Sequence, residues 1–272
     1  MEEPMKTIKT LIAASLVSLT FASASYADQT QLEQAIAGEH RSVENKARDI
    51  YRHPKETLEF LGFHSNMTVV EITPGGGWYT EILAPALKGS GKLIGAHYPD
   101  TGEDNYYSNS RKKLEKKLAS DDVFSEVELS NFIPKKASAL APMGTADLVL
   151  TFRNLHNWGD EGVQQVFKDA FDALKPDGIL GVVEHRLPKG AESNDMNRGY
   201  VSVEQTIAFA KASGFDLAAS SEVNANPKDK ASYEKGVWTL PPSLALGDKD
   251  KEKYLAIGES DRMTLKFVKT AK

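Results

Sequence analysis

The sequence contains no cysteine, and this absence excludes several kinds of chemistry. Without thiols there is no disulfide framework, no thiolate nucleophile and no site for a lipid on cysteine. An excess of positive charge is also missing, because the formal net charge is −5 at pH 7 and no block of basic residues occurs. A surface that follows the phosphates of a nucleic acid is therefore not expected, and we predict no nucleic-acid partner.

The length and composition indicate one folded unit. With 272 residues, of which 40% are hydrophobic and 26% charged, the chain has the composition of an ordinary globular protein. It shows no internal repeat and no long low-complexity segment. We therefore expect a single domain over residues 28–272.

The N-terminal segment has the pattern of a secretory signal. Two lysines precede the apolar stretch Leu11–Phe21, and small residues stand at Ser25 and Ala27. The apolar stretch is too short to span a bilayer. We expect a signal peptide over residues 1–27 that is cleaved near Ala27, a periplasmic location, and no stable membrane insertion after cleavage.

Apolar runs typical of buried strands alternate with segments whose apolar residues recur at helical spacing. The predicted strands are Thr68–Ile72, Lys92–His97, Val123–Leu129, Ala146–Phe152, Ile179–Glu184, Phe215–Glu222 and Arg262–Lys269. The predicted helices are Trp78–Leu87, Ser108–Leu118, Glu161–Leu174 and Val203–Ala212. This order predicts an α/β sandwich in which helices cover both faces of a seven-stranded, mostly parallel sheet. The polar–apolar alternation of the final run predicts an antiparallel last strand.

Two further segments flank this pattern. A helical pattern covers about residues 31–62 before the first strand, and we expect it to form a lid over the ligand cleft. Residues 224–261 are rich in Lys, Asp, Gly and Pro and interrupt the alternation before the last strand. We interpret them as an insertion near the mouth of the cleft. The alternative is a surface excursion that packs Trp238 for stability.

Three consecutive glycines, Gly75–Gly77, connect the first predicted strand with the helix that follows. Glycine permits a positive φ and a close approach of the backbone to a ligand, and the first turn of a helix has free N–H groups. The dinucleotide pattern G-x-G-x-x-G is not matched, because Thr80 stands where the third glycine is required. The loop therefore predicts a ligand cradle of another kind, with a plain connecting turn as the alternative.

The segment Val69–Gly77 resembles the first motif of class I S-adenosylmethionine-dependent methyltransferases. Glu71 matches its acid, Gly75 and Gly77 match two of its glycines, and Thr73 stands in place of the first glycine.

Two later segments, Ala146–Trp158 and Leu174–Leu180, are similar to the fourth-strand segment of that family and to the turn before its fifth strand. The resemblance covers about residues 45–270, and more narrowly it is a resemblance to a bacterial group of exported predicted methyltransferases. It implies a Rossmann-like methyltransferase sandwich.

The resemblance also implies S-adenosylmethionine as the cofactor, and transfer of its methyl group to an oxygen or nitrogen of a small-molecule acceptor. His97 stands where the family usually has an acid for the ribose hydroxyls, and a neutral imidazole offers only one acceptor. Asn154 is expected at the amino-acid end of the cofactor. The implied cofactor-binding residues are Glu71, Thr73, Gly75, Gly76, Gly77, Trp78, His97 and Asn154.

Candidate catalytic residues follow the fourth and fifth strands. His156 is the first candidate for a general base, because an imidazole accepts a proton near neutral pH. Glu184 and His185 are the alternatives, since the carboxyl ends of neighbouring parallel strands meet at one edge of a sheet. A solvated strand end, or an Asn154 that merely caps the next helix, would explain the same residues without catalysis. The predicted substrate-binding residues are Arg52, Trp158 and Arg186.

Three interpretations of function differ in class. A methyltransferase is the first, and a non-catalytic periplasmic protein that binds a small ligand on the same fold is the second. A nicotinamide-dependent oxidoreductase is disfavoured by Thr80 and by the missing acid at His97. The six histidines show no metal-ligand spacing on one element, so no metal site is predicted. The acceptor and the oligomeric state stay open.

Overall fold

The computed structural model describes residues 31–189 and 195–270 of the chain. The predicted signal peptide, residues 1–27, lies outside the described residues. Within the two described ranges, no helix is both long enough and apolar enough to cross a membrane.

Seven strands form one sheet in the order β3-β2-β1-β4-β5-β7-β6. β1 to β5 pair in parallel, and β7 lies antiparallel between β5 and β6. This arrangement confirms the predicted seven-stranded, mostly parallel sheet with an antiparallel last strand. The strands are β1 (Thr68–Ile72), β2 (Lys92–His97), β3 (Glu128–Asn131), β4 (Ala146–Phe152), β5 (Leu174–His185), β6 (Phe215–Ser221) and β7 (Arg262–Lys269).

Helices precede the sheet and connect its strands. They are α1 (residues 31–37), α2 (Val43–Lys46), α3 (Asp49–Arg52), α4 (Pro54–Leu61), α5 (Thr80–Leu87), α6 (Tyr106–Leu118), α7 (Leu155–Ala173), α8 (Val203–Ala212) and α9 (Lys251–Ile257). α5 begins two residues later than predicted, because Trp78 and Tyr79 still belong to the turn that contains the glycines. α7 begins six residues earlier than predicted, and Gly159, with φ of 68°, kinks it.

The third strand lies later in the chain than predicted. The sequence predicts it over Val123–Leu129, but Asp122–Phe124 form a 3₁₀ turn and β3 begins at Glu128. The side chain of Asp121 accepts a hydrogen bond from the backbone N–H of Val123 at 3.0 Å. Such a local cap competes with strand pairing, and this explains the shift.

Both faces of the sheet are buried. Along β1, Val69 belongs to one hydrophobic cluster and Val70 to the other, and along β4 the same holds for Leu148 and Val149. Successive side chains of a strand point to opposite faces, so apolar layers cover the sheet on both sides. The carboxyl ends of β1, β4 and β5 are thereby fixed at one edge, where the polar residues of the loops gather.

Candidate active site

A cavity of about 600 Å³ lies at the carboxyl ends of β1, β4 and β5. This is the edge at which open α/β sheets bind their ligands. The loop after β1 contributes Thr73–Gly76, the end of β4 and the loop after it contribute Phe152–Asn154, and β5 contributes His185. Of the residues that the sequence predicts for a site, the cavity brings together Arg52, Thr73, Gly75, Gly76, Trp78, Asn154, His156 and His185.

The loop after β1 has a left-handed backbone at three positions. Thr73, Gly75 and Gly77 have φ values of 51°, 59° and 78°. Thr73 therefore adopts a backbone conformation that favours glycine, in spite of its branched side chain. Its backbone N–H donates to the carbonyl oxygen of Ala96 at 2.7 Å, which holds the loop against β2.

The loop presents an open surface to the cavity. A Cβ atom added at Gly75 would meet no heavy atom within 4 Å. The Oγ1 atom of Thr73 is buried and has no hydrogen-bond partner among the described residues. A buried hydroxyl without a partner is uncommon in a folded protein, and it favours a polar ligand at this point. The residues present therefore fit a polar cofactor group that passes close to the backbone.

Glu71 lies at the end of β1 but does not line the cavity. Its carboxylate is 3% exposed and accepts a hydrogen bond from Oγ1 of Thr80 at 2.6 Å. Burial raises the pKa of Glu71 to about 7, although the Thr80 hydrogen bond and the charge of Arg153 act in the opposite direction. Thr80, which occupies the place of a dinucleotide-motif glycine, thus connects β1 with the beginning of α5.

Trp78 connects the cavity with the segment predicted as a lid. Trp78 is 7% exposed, and the guanidinium groups of Arg41 and Arg52 lie over its ring, at 5.1 and 4.6 Å from the ring centroid. Its Nε1–H donates to the carbonyl oxygen of Asn45 at 3.1 Å. These contacts fix α2 and α3 beside the glycine loop, so that Asn45, Arg48 and Arg52 line the cavity.

Glu259 also lines the cavity and forms ion pairs with three arginines. Its oxygens lie 2.7 Å from Nε of Arg48, 3.2 Å from Nε of Arg52 and 3.3 Å from Nη1 of Arg262. Burial alone would raise the pKa of the Glu259 carboxyl, but the charges of Arg52, Arg262 and Arg153 outweigh it and lower this pKa to about 2. Glu259 is therefore ionised at neutral pH.

Arg153 follows β4 directly and has a left-handed backbone, with φ of 61°. Its backbone N–H donates to the carbonyl oxygen of Val183 at 2.7 Å. Burial and the charge of Arg262 lower the pKa of the Arg153 guanidinium to about 10, so it stays charged at neutral pH. Sequence reasoning missed Arg153, although a cation directly after a buried strand was a visible signal.

His156 and Glu184 form a hydrogen-bonded pair, with Nδ1 and Oε1 3.1 Å apart. Glu184 is fully buried, and its Oε2 accepts from the backbone N–H of Leu155 at 2.6 Å. Its Oε1 also accepts from the backbone N–H of His185 at 2.7 Å. The carboxylate therefore caps α7 and holds the His156 ring, with Nδ1 as the donor and Nε2 left as an acceptor.

His185 lies beside this pair, and its ring centroid is 5.3 Å from that of His156. Its Nδ1 and Oγ of Ser260 are 2.5 Å apart. Burial, together with the charges of His156 and Arg153, lowers the pKa of His185 well below its ordinary value. His185 is therefore neutral at physiological pH.

Asn154 stands immediately before α7, at its N-cap position, but its side chain does not cap the helix. Its Nδ2 donates to the carbonyl oxygen of Ile72 at 3.1 Å, which connects the loop after β4 with β1. The capping role that the sequence offered as an alternative for Asn154 belongs to Glu184 instead.

The fold brings together three possible metal ligands from two elements. One ligand atom each of His156, Glu184 and His185 lies within 4.8 Å of the others. The sequence predicts no metal site because no single element carries ligand spacing. Since both oxygens of Glu184 already accept backbone N–H groups, the geometry favours the hydrogen-bonded pair.

Other predicted site residues lie away from the cavity. His97 is fully buried, and its Nε2 is 3.2 Å from Oγ of Ser110. Trp158 is 2% exposed and packs edge-on against Phe132 at 5.5 Å. The side chain of Arg186 donates to Glu222 and Asp261. Predicted residues that do not line the cavity are Glu71, Gly77, His97, Trp158, Glu184 and Arg186.

The segment predicted as an insertion provides a wall of the cavity. Val237, Trp238 and Pro241–Ser243 line it, together with Glu259 and Ser260. The Trp238 ring meets the His156 ring edge-on, with centroids 5.9 Å apart, and 38% of Trp238 is exposed. A partly exposed aromatic side chain thus lies against the candidate base.

Solved structures share this architecture. An S-adenosylmethionine-dependent methyltransferase from Aquifex aeolicus superimposes with a TM-score of 0.57 and 13% identity, over 82% of this chain and 93% of that chain. A geranyl diphosphate methyltransferase, solved in complex with GPP and sinefungin, superimposes with a TM-score of 0.56 and 13% identity, over 80% of this chain and 77% of that chain. The fold is that of class I methyltransferases.

The [4+2]-cyclase SpnF also has this fold. It superimposes with a TM-score of 0.59 and 15% identity, over 92% of this chain and 96% of that chain. No protein-family model and no curated protein matches the sequence. Because a cyclase and methyltransferases share the fold, the reaction has to be argued from the residues of the site.

Proposed function

We propose that this protein binds S-adenosylmethionine and transfers its methyl group to an oxygen or nitrogen of a small acceptor. The observation that carries the proposal is the cavity itself, which places the glycine loop and the His156–Glu184 pair in or beside one space. The bound cofactor would supply a methyl group already activated by its sulfonium.

The cradle would be built from the loop after β1. Thr73 and Gly75 offer the unpartnered hydroxyl and the open backbone surface. Asn154 and Trp78 border the same loop, and aromatic rings stabilise a neighbouring positive charge. Phe152, which also lines the cavity, stacks on Tyr79 with ring centroids 3.5 Å apart.

His156 would act as the general base. The Nδ1–H bond to Glu184 fixes the ring and leaves Nε2 to accept the proton that an acceptor hydroxyl or amine loses. Glu184 is then a positioning residue, because it acts through His156 and caps the helix that carries it. The remaining contribution is orientation of the two reactants in a partly closed space.

We further infer that the protein works outside the cytosol, on the sequence pattern of residues 1–27. Cell fractionation and the mass of the secreted form test this inference. A form that begins near Asp28 in the periplasmic fraction would support it, and a full-length form in the cytosol would contradict it.

Calorimetric titration with S-adenosylmethionine and S-adenosylhomocysteine tests the cofactor. We expect both to bind the native protein and neither to bind Gly75→Val, since the new side chain would project into the cavity. Gly89→Val is the matched control, because Gly89 has a positive φ and open surroundings but lies outside the cavity.

Absence of heat with both compounds would exclude methyl transfer. Binding without turnover across hydroxyl and amine acceptors would instead support a protein that binds a small ligand without catalysis.

A further inference from the structure

The cavity is positively charged, although the whole protein has a net charge of −5. Among the described residues that line it, Glu259 provides the negative charge. The cations that line it are Arg48, Arg52, Lys113, Lys117 and Arg153.

The carboxylates that pair with these cations carry too few negative charges to neutralise them. Lys117 pairs with Glu81, while Arg48 and Arg52 share Glu259 with Arg262, which lies behind the wall. One carboxylate thus serves three arginines. Buried positive charges that lie close together repel each other, and a bound anion would offset this repulsion.

Two guanidinium nitrogens of arginines that line the cavity make no hydrogen bond to the described residues. Nη1 of Arg52 and Nη1 of Arg153 are buried, and neither has a hydrogen-bond partner among the described residues. The Arg52 residue as a whole is only 2% exposed. An unpaired donor of a buried cation is costly, because its hydration is lost and nothing replaces it. Both arginines line the cavity, so a ligand is the available source of the missing acceptor.

A carboxylate or a phosphate matches the donors of a guanidinium group. S-adenosylmethionine has one carboxylate but also an ammonium and a sulfonium, so on balance it adds positive charge. The proposed cofactor therefore leaves the excess charge of the cavity in place. A second anion is needed, and the second molecule in the cavity is the acceptor.

We propose that the methyl acceptor is a small acid, and that Arg52 and Arg153 bind its carboxylate or phosphate. The acid also carries the hydroxyl or amine that loses its proton to His156. Arg153 lies directly after β4 and His156 lies in the first turn of α7, so one short segment would hold both ends of the acceptor. This inference rests on the proposed function.

Anion binding is tested first without cofactor, by thermal unfolding and calorimetry at constant ionic strength in chloride. The probes are inorganic phosphate, benzoate and benzamide, the last as the neutral analogue of benzoate. We expect phosphate and benzoate to bind and to raise the melting temperature, and benzamide to have no effect. Equal effects of benzoate and benzamide would overturn the proposal.

Variants locate the site. Arg153→Met should weaken benzoate binding at least tenfold, Arg153→Lys should restore part of it, and Arg111→Met should leave it unchanged. Arg111 pairs with Glu115 on α6 and lies outside the cavity. Melting temperatures without ligand show whether each variant is folded. Unchanged benzoate binding by a folded Arg153→Met would contradict the assignment.

Saturation with S-adenosylhomocysteine separates the acceptor from the cofactor, since this compound has the same amino-acid carboxylate. If benzoate still binds to the saturated protein, the arginines serve the acceptor. If saturation abolishes benzoate binding, the arginines hold the cofactor's carboxylate and the proposal is wrong. If S-adenosylhomocysteine does not bind at all, the proposed function fails, whatever benzoate does.

Turnover completes the test. A panel of hydroxy and amino acids is compared with the matching amides, with S-adenosylhomocysteine formation as the readout. We expect kcat/KM to be at least tenfold higher for the acids, and Arg153→Met to remove this preference by raising KM. Equal kcat/KM for acids and amides would overturn the proposal.

Discussion

Thr80 donates a hydrogen bond of 2.6 Å to Glu71, and this contact joins the end of β1 to the first residue of α5. Glu71 is the acid of the methyltransferase-like motif, yet it lies behind the glycine loop instead of in the cavity. The pair therefore fixes the loop to the end of the sheet. Protonation of the Glu71 carboxyl is expected to change the free energy of unfolding.

The pH dependence of unfolding should change in Glu71→Gln. Burial raises the pKa of Glu71 from 4.5 to about 7, so the folded state binds this proton more tightly than the unfolded state. Its contribution is complete below pH 4.5 and is lost as the pH rises through 7, by about 3 kcal/mol. Denaturant unfolding between pH 4.5 and 8 should show this loss in the native protein but not in the variant.

Glu44→Gln, at an exposed position, is the control for that measurement. Parallel stability curves for Glu71→Gln and the native protein would show that Glu71 is ionised in the folded state.

Glu259→Gln should lower the free energy of unfolding by about 3–5 kcal/mol, because Arg52 and Arg262 would stay buried without a counter-charge. Glu222→Gln is the control, since the side chain of Glu222 is 71% exposed, and its loss should cost less than about 1 kcal/mol. The stabilisation by Glu259, whose pKa is lowered to about 2, is present above pH 4.5 and is lost as the pH falls towards 2. Similar costs for the two variants would contradict this account.

Thr73→Gly should stabilise the protein or leave its stability unchanged. A branched residue with φ of 51° is strained by about 1–2 kcal/mol, which exceeds the 0.5–1 kcal/mol that a glycine costs through chain entropy. Thr68→Gly, at the beginning of β1, is the matched control and should lose about 1 kcal/mol. If Thr73→Gly and Thr68→Gly lower the melting temperature equally, the backbone of Thr73 is not strained.

His156→Ala should lower turnover by about 10²- to 10⁴-fold and change cofactor affinity by less than about threefold, because it removes a base and no part of the cradle. Glu184→Gln should lower kcat less, with KM for the cofactor unchanged. His64→Ala, at an exposed position outside the cavity, should have no effect. Normal rates for His156→Ala would exclude it from the mechanism.

The sheet was predictable because its strands are short apolar runs, and β1, β2, β4 and β7 lie where the sequence places them. The glycine loop was predictable because it directly follows one of these apolar runs. Trp158 was expected to bind substrate, but it shares a helical face with Leu155, three residues earlier, and both are buried in the core. The unpredicted early start of α7 causes this difference.

The arginine cluster could not be predicted from local patterns. Arg48 and Glu259 are 211 residues apart in sequence, and neither stands in a motif. Only the position of β7 between β5 and β6 brings Glu259 to the helices that precede the sheet. Arg186 shows the same limitation, since Glu222 and Asp261, at the ends of β6 and β7, pair with it and keep it out of the cavity.

The position of β7 also determines when the cavity can form during folding. β7 is the last strand in the chain, yet it lies inside the sheet, where it supplies hydrogen bonds to β5 on one side and β6 on the other. Contacts between residues far apart in sequence form slowly, because a long loop has to close before they stabilise anything. The ion pair between Arg48 and Glu259 joins residues 211 apart in sequence, so we expect the binding site to be completed late in folding.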